Sequence, residues 1–223
     1  MNWWASSLSH QSPALFASWA FWVIFSIVMH ELAHGWAALR SGDDTPRAAG
    51  HMTWNPMVHM GPMSLLVFAI IGIAWGAMPV NPSNFRGRHD EAIVAGAGPA
   101  MNLGLGLVAC LLGAAWILAA PGSLAPHLSD NIRVFFFVGA AVNIALMLLN
   151  LLPIPPLDGS RILAHYADGY RRLIHGEHGT MIALFGLVVI FYAVGGRVFE
   201  LAFSAAGSII RGIVGAFSVA PVT

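Results

Sequence analysis

Long apolar runs separated by short polar connections dominate this chain. Residues 14–39, 92–120 and 132–152 each supply the roughly 17–25 apolar positions that a membrane-crossing helix needs. A fourth run starts near Thr180 and reaches Val194, where Gly195-Gly196-Arg197 interrupts it. Residues 198–219 follow, carrying Glu200 and Arg211, and read as a further span or an interfacial helix. The stretch 63–78, bounded by Gly61-Pro62 and Pro79, lies at the lower edge of spanning length and is open to a full crossing or a re-entrant path. The polar connections are 40–62, 79–91, 121–131 and 153–179; in the first, residues 50–54 read as a short strand before an Asn55-Pro56 turn. No fixed-period repeat is present, which argues against a solenoid.

Composition sharpens this pattern into a class. The 223 residues are 57% hydrophobic and only 9% charged, with mean hydropathy +0.73. Soluble domains carry about a quarter charged residues, so this surface is built for lipid. Ten Arg balance ten acids and no Lys occurs, which excludes a basic nucleic-acid binder. The single Cys110 excludes a disulfide scaffold. The first thirteen residues lack the positive charge of a secretory leader, so the first helix is expected to be retained. The expected fold is an all-α polytopic membrane protein, read as one membrane-embedded domain over residues 1–223. Its core spans about 14–165 and its C-terminal helices about 180–219.

The chemistry concentrates in His30-Glu31-Leu32-Ala33-His34. Residues four apart share a helical face, so both imidazoles can reach one metal ion, and Glu31 beside them can take a proton from water. Glu31 is the only charged residue before Arg40. An acid at membrane depth costs about 2.5–3.5 kcal/mol on insertion scales, which marks it as functional. A catalytic zinc site needs a third protein ligand. Asp158 is the candidate, because Pro153, Pro155 and Pro156 end the preceding helix and leave a carboxylate on irregular backbone.

These residues carry a resemblance. The HExxH sequence, Ala97-Gly98-Pro99-Ala100-Met101-Asn102, and Asn150-Leu151-Leu152-Pro153 through Leu157-Asp158-Gly159 resemble the site-2 protease family of intramembrane zinc metalloproteases. Asn55-Pro56-Met57-Val58-His59 and Met78-Pro79-Val80 resemble segments of its small bacterial members, and the match runs from about residue 25 to 165. The resemblance implies one Zn2+ per chain held by His30, His34 and Asp158, with Glu31 as catalytic base. It also implies that Asn150 steadies substrate or the developing oxyanion, and that Asn102 lies near the substrate. The implied fold is three transmembrane helices around the zinc, a re-entrant segment, and one or two further C-terminal helices, without PDZ-like or CBS-like domains. The implied substrate is a membrane-spanning protein, and no nucleic-acid partner is expected.

Arg placement bears on topology. If 63–78 is re-entrant, Arg40, Arg47, Arg86 and Arg88 share one side with Arg161, Arg171 and Arg172, which the positive-inside tendency assigns to the cytoplasm. The N-terminus is then outside, the ligands converge toward the cytoplasmic face, and a bacterial inner (plasma) membrane is the expected location. The remaining features read more blandly. His59 is a structural hydrogen-bonding residue, and His165, His175 and His178 are solvated. Asn143 bonds between helices, Gly72-x-x-x-Gly76 permits close helix approach, and Trp3 and Trp4 mark an outer interface. The alternative functions are a metal or ion transporter and a zinc-binding scaffold without activity.

Overall fold

The computed structural model describes residues 12–120, 124–176 and 179–218; Trp3, Trp4 and His178 lie outside these. The helices are α1 (Pro13–Arg40), α2 (Thr45–Ala48), α3 (Pro56–Ile71), α4 (Asp90–Ala119), α5 (Pro126–Asn150), α6 (Asp158–Tyr166), α7 (Asp168–His175), α8 (Gly179–Val189) and α9 (Gly195–Ser218). Among the described residues there is no strand. Four helical stretches are long and apolar enough to cross a membrane: Pro13–Arg40, Asp90–Ala119, Pro126–Asn150 and Tyr192–Ser218. This is a multi-pass membrane fold.

α1, α4 and α5 pack on one another, and α9 lies against α4 and α5. Small residues set the spacing. α4 buries Gly106, Ala109, Cys110, Gly113 and Ala114 while exposing Leu103, Leu107, Val108, Leu111 and Leu112. Such an arrangement suits lipid, where close backbone approach and not burial of large apolar groups drives helix association. On α5, Gly139 lies flat against the Trp22 indole, leaving no room for a Cβ, and Trp22 Nε1 donates to the Phe135 carbonyl at 2.8 Å. Asn102 Nδ2 donates to Asn143 Oδ1 at 3.0 Å, joining α4 to α5 through two residues of zero exposure. Asn143 therefore makes the interhelical bond read from its sequence position.

α3 does not cross. Asn55 caps it by accepting from Met57 N, Gly61 breaks it at φ 67°, and Gly72 ends it in the left-handed region at φ 79°. The helical part from Pro62 to Ile71 rises only about 15 Å, half of a roughly 30 Å hydrocarbon layer. The chain then returns along its own helix. Trp75 N donates to Ser64 Oγ at 2.9 Å, Ser64 Oγ donates to the Trp75 carbonyl at 2.7 Å, and Ala77 N donates to the His59 carbonyl at 2.9 Å. Gly72 is thus a helix stop and not part of a packing motif, which corrects the glycine-pair reading.

The two flanking connections meet, as a re-entrant path requires. Arg86 N donates to the Ser41 carbonyl at 3.1 Å. Asp43, with zero exposure, accepts from Asn81 N at 2.7 Å, Asn84 Nδ2 at 2.8 Å and Thr45 Oγ1 at 2.5 Å. Burial pushes the Asp43 carboxyl up, but the hydrogen bonds from Thr45, Asn81 and Asn84 outweigh it and hold the group below the ordinary carboxylate range. A lowered native value means that the unfolded chain binds the extra proton first, so the stabilisation is complete above about pH 4 and fades below it. Asp43→Asn should therefore lower the melting temperature at neutral pH, with the gap from wild type closing only as pH falls below about 4. A gap that is unchanged across that range would remove the charge from the role given to it.

Two other expectations need correction. Residues 50–54 form turns and not a strand, because Gly50 N bonds the Arg47 carbonyl, His51 N the Pro46 carbonyl and Thr53 N the His51 carbonyl, with Gly50 at φ 71°. Gly195 and Gly196 do not interrupt the last apolar run. They begin α9, and the irregularity falls earlier, in a five-residue π turn at Ile190–Val194 that continues α8 into α9. Glycine weakens a helix without removing a hydrogen-bond donor, so the path stays helical.

Candidate functional site

His30 and His34 lie one turn apart on α1 and face a single stripe of α4 made by Val94, Gly98 and Asn102, each four residues from the next. The helices run antiparallel. His30 Nδ1 donates to Asn102 Oδ1 at 2.7 Å, and His34 Nδ1 donates to the Val94 carbonyl at 2.7 Å. Both partners can only accept at those atoms, so each neutral ring carries its hydrogen on Nδ1 and a lone pair on Nε2. Pro99 removes one α4 hydrogen bond and crowds the Ala95 carbonyl, loosening the turn beside Val94.

Asp158 starts α6 directly after the proline-broken segment. Gly159 holds that start against the Leu151 carbonyl, at a spacing no Cβ would allow. The Tyr170 hydroxyl donates to the Pro153 carbonyl at 2.9 Å and lies 3.0 Å from Ser160 Oγ, tying α7 to the same turn. Asp158 Oδ2 then sits 3.1 Å from His30 Nε2 and 3.3 Å from His34 Nε2, while the two Nε2 atoms are 3.0 Å apart.

Three lone-pair donors therefore face one another, at exposures of 7% for each of His30, His34 and Asp158. Asp158 Oδ2 is buried without a hydrogen-bond partner. Left alone, this arrangement is repulsive. A cation between the donors converts it to attraction, and tetrahedral zinc with ligands at about 2.0–2.2 Å spaces its donors about 3.3 Å apart. The triangle of 3.0, 3.1 and 3.3 Å fits that requirement. Among the described residues, His30, His34 and Asp158 are the group able to hold a metal ion. Gly98 faces both Nε2 atoms, and a Cβ there would lie 2.5 Å from each.

A profile of peptidase family M50 matches residues 117–194, which contain Asn150 and Asp158 but not the HExxH sequence. The chain is 37% identical over 144 residues to "Putative zinc metalloprotease YwhC" of Bacillus subtilis, covering 63% of this chain and 65% of that protein. Over residues 117–194 the chain is similar to peptidase family M50. It is 32% identical over 146 residues to "Putative zinc metalloprotease Rip2" of Mycolicibacterium smegmatis, covering 61% of this chain and 52% of that protein. A protein of the same description from Methanocaldococcus jannaschii, MJ0611, is 31% identical over 136 residues, covering 61% of this chain and 63% of that protein. The chain spans between half and two thirds of the length of these relatives. No solved structure matches the chain.

The structure brings His30, His34 and Asp158 together and places Glu31, 6% exposed, beside them. Gly76, on the limb returning from α3, packs on Glu31 so closely that a Cβ would lie 2.6 Å from Cγ and Oε1. Asn102 has zero exposure and both ends of its amide engaged, which makes it an orienting partner of His30, where the resemblance implied a substrate contact. Such partners fix the ligand tautomer, as is general for metal-bound histidine. Asn150 is half-buried and donates through Nδ2 to the Leu146 carbonyl of its own helix at 3.0 Å. His59 donates from Nε2 to the Thr53 carbonyl at 2.7 Å, the structural role read for it. His165 differs from its solvated reading: it lies 3.2 Å from His89 Nδ1 and 3.5 Å from Glu91 Oε2, joining α6 to the start of α4. His175 is exposed, with Nδ1 3.1 Å from the Arg171 carbonyl.

Sequence reasoning missed Val94, Gly76, Gly98 and Tyr170 as parts of the site. Val94 acts through its backbone, which has no sequence signature, and Tyr170 is set by tertiary packing alone. Gly98 had a signal: a glycine four residues before a candidate site asparagine on a helix facing two histidines.

Proposed function

We propose that this protein is a zinc metalloendopeptidase that hydrolyses a peptide bond within or near the transmembrane segment of a membrane protein. The observation that carries this reading is the meeting of three buried lone-pair donors at one point, two of them beside a glutamate on a helix long enough to cross a membrane. His30, His34 and Asp158 would hold one zinc ion. When bound, zinc supplies a Lewis acid that eases deprotonation of water and polarises a carbonyl.

The chain's own residues supply the remaining steps. Asn102 and the Val94 carbonyl hold the two rings in the tautomer that leaves Nε2 free. Glu31 accepts the proton of the attacking water and delivers it to the departing amine, so one carboxyl serves as base and then as acid. Asn150 keeps one amide hydrogen unengaged among the described residues for the substrate carbonyl or the developing oxyanion. The low exposure of the four central side chains excludes bulk water. A substrate helix hides its carbonyls in its own hydrogen bonds, so it must unwind before Glu31 can act.

The reading extends to placement. Contact between the 41–45 and 81–86 segments supports a common side for Arg40, Arg47, Arg86 and Arg88, and with Arg161, Arg171 and Arg172 this favours a cytoplasmic site and an outside N-terminus in a bacterial inner (plasma) membrane. The test is cleavage of a single-span reporter by purified protein in liposomes. Cleavage should stop with a chelator and return with stoichiometric zinc. Zinc flux into vesicles with an uncut reporter would instead establish transport.

A further inference from the structure

The returning limb and the catalytic face of α1 meet at a second point beyond Glu31. Glu31 and Gly35 are four residues apart and share one face of α1. Gly76 covers Glu31, and the next limb residue but one, Met78, covers Gly35. The limb thus touches this face at two points one helical turn apart. A Cβ built on Gly35 would lie 2.6 Å from Met52 Sδ, 3.0 Å from Met78 Cε and 3.3 Å from Met52 Cε. The three nearest atoms are thus all methionine, contributed by two segments separated by α3.

We propose that Met52 and Met78 close a notch over Gly35 that receives an apolar side chain of the substrate within one or two residues of the cut bond. They are then specificity-determining residues, an assignment that rests on the peptidase reading above. Three features on the page support it. Gly35 lies one helical turn from Glu31, a distance that two extended residues of a substrate would span. Both methionines are half-buried, so each residue keeps some accessible surface. Methionine has three rotatable bonds and a polarisable sulfur, which lets it fill a gap and yield to a ligand of varied shape. Gly35 supplies the depth: any side chain there would displace Met52 from the helix surface.

The experiment uses the full chain in liposomes with a single-span reporter whose cut site has been mapped. Reporter sets carry Ala, Leu, Phe or Asp at each of three positions on either side of the cut. Specificity constants are compared for wild type, Met52→Ala, Met78→Ala, the volume-conserving Met78→Leu and the notch-filling Met78→Phe, with zinc content measured in each as a check of intactness. One extra methylene in an apolar pocket changes selection about 10–200-fold. Met52→Ala and Met78→Ala should therefore raise the Phe-to-Ala ratio about tenfold or more at one position on one side of the cut. Met78→Leu should keep the wild-type ratio, Met78→Phe should lower it, and Asp at that position should be rejected by wild type. A Phe-to-Ala ratio within twofold of wild type at all six positions, in zinc-loaded alanine variants, would overturn this proposal alone. A wild type that cuts no reporter would overturn it together with the peptidase reading.

Discussion

Glu31→Gln is expected to lose proteolysis of a membrane-spanning reporter by at least 10²–10⁴-fold, the range that one positioned general acid–base contributes, while zinc stays bound. The expectation rests on where Glu31 lies. It is next to His30 in sequence, but the donors that converge are His30 Nε2, His34 Nε2 and Asp158 Oδ2. Glutamine has the same length, so the close contact with Gly76 is kept. What changes is the ability to accept a proton from water and return it to the leaving amine. Initial rates with purified protein, read beside zinc per chain, separate this from loss of the metal. Retained cleavage would remove Glu31 from its role.

Gly98→Ala has an equally large expected effect by a different route. The added methyl would lie 2.5 Å from His30 Cε1, His30 Nε2 and His34 Nε2, against roughly 3.5–4.0 Å for ordinary contact. Either both rings turn away from Asp158, or α4 retreats and takes Asn102 and the Val94 carbonyl with it. Both outcomes dismantle the donor triangle. Zinc should fall below about one-tenth per chain and reporter cleavage should disappear. Gly104→Ala, on the same helix with nothing within 4 Å of its Cβ, is the matched control and should bind zinc as wild type does. A Gly98→Ala protein with full zinc would show that the space between the rings is not where the ion sits.

The sequence made much of this arrangement legible because lipid imposes strict rules. A crossing helix must hold its hydrogen bonds internally and present apolar side chains, so 14–39, 92–120 and 132–152 could be read nearly to their ends. α5 nonetheless begins at Pro126, six residues before its apolar run, because Ser129, Asp130 and Asn131 are compatible with helix once Pro126 has set the first turn. The paired histidines were legible from their spacing. Asp158 was legible as the carboxylate following a proline break, although its distance to the rings was not.

Other features depend on what the chain meets after folding. Residues 50–54 alternate weakly and pass for a strand, yet Gly50 turns the backbone and its neighbours bond locally. Gly72 and Gly76 have the spacing of a helix-packing pair. Nothing in the sequence says that the helix stops at Gly72, which leaves Gly76 free to lie on Glu31. Asn102 was placed near the site by its motif, but its partner, His30 Nδ1, is 72 positions away and visible only in three dimensions. The general pattern is that donors announced themselves while the groups that orient them did not.

On the proposed reading, His30, His34 and Asp158 hold one metal ion inside the membrane-embedded bundle. Zinc analysis and X-ray absorption on detergent-purified wild type, prepared without added metal or chelator, test it most directly. One zinc per chain is expected, with two nitrogen ligands and oxygen completing the shell at about 2.0–2.2 Å, and loss of the ion in Asp158→Ala. Protein that folds without stoichiometric metal, or that keeps its zinc when Asp158 is removed, would contradict it.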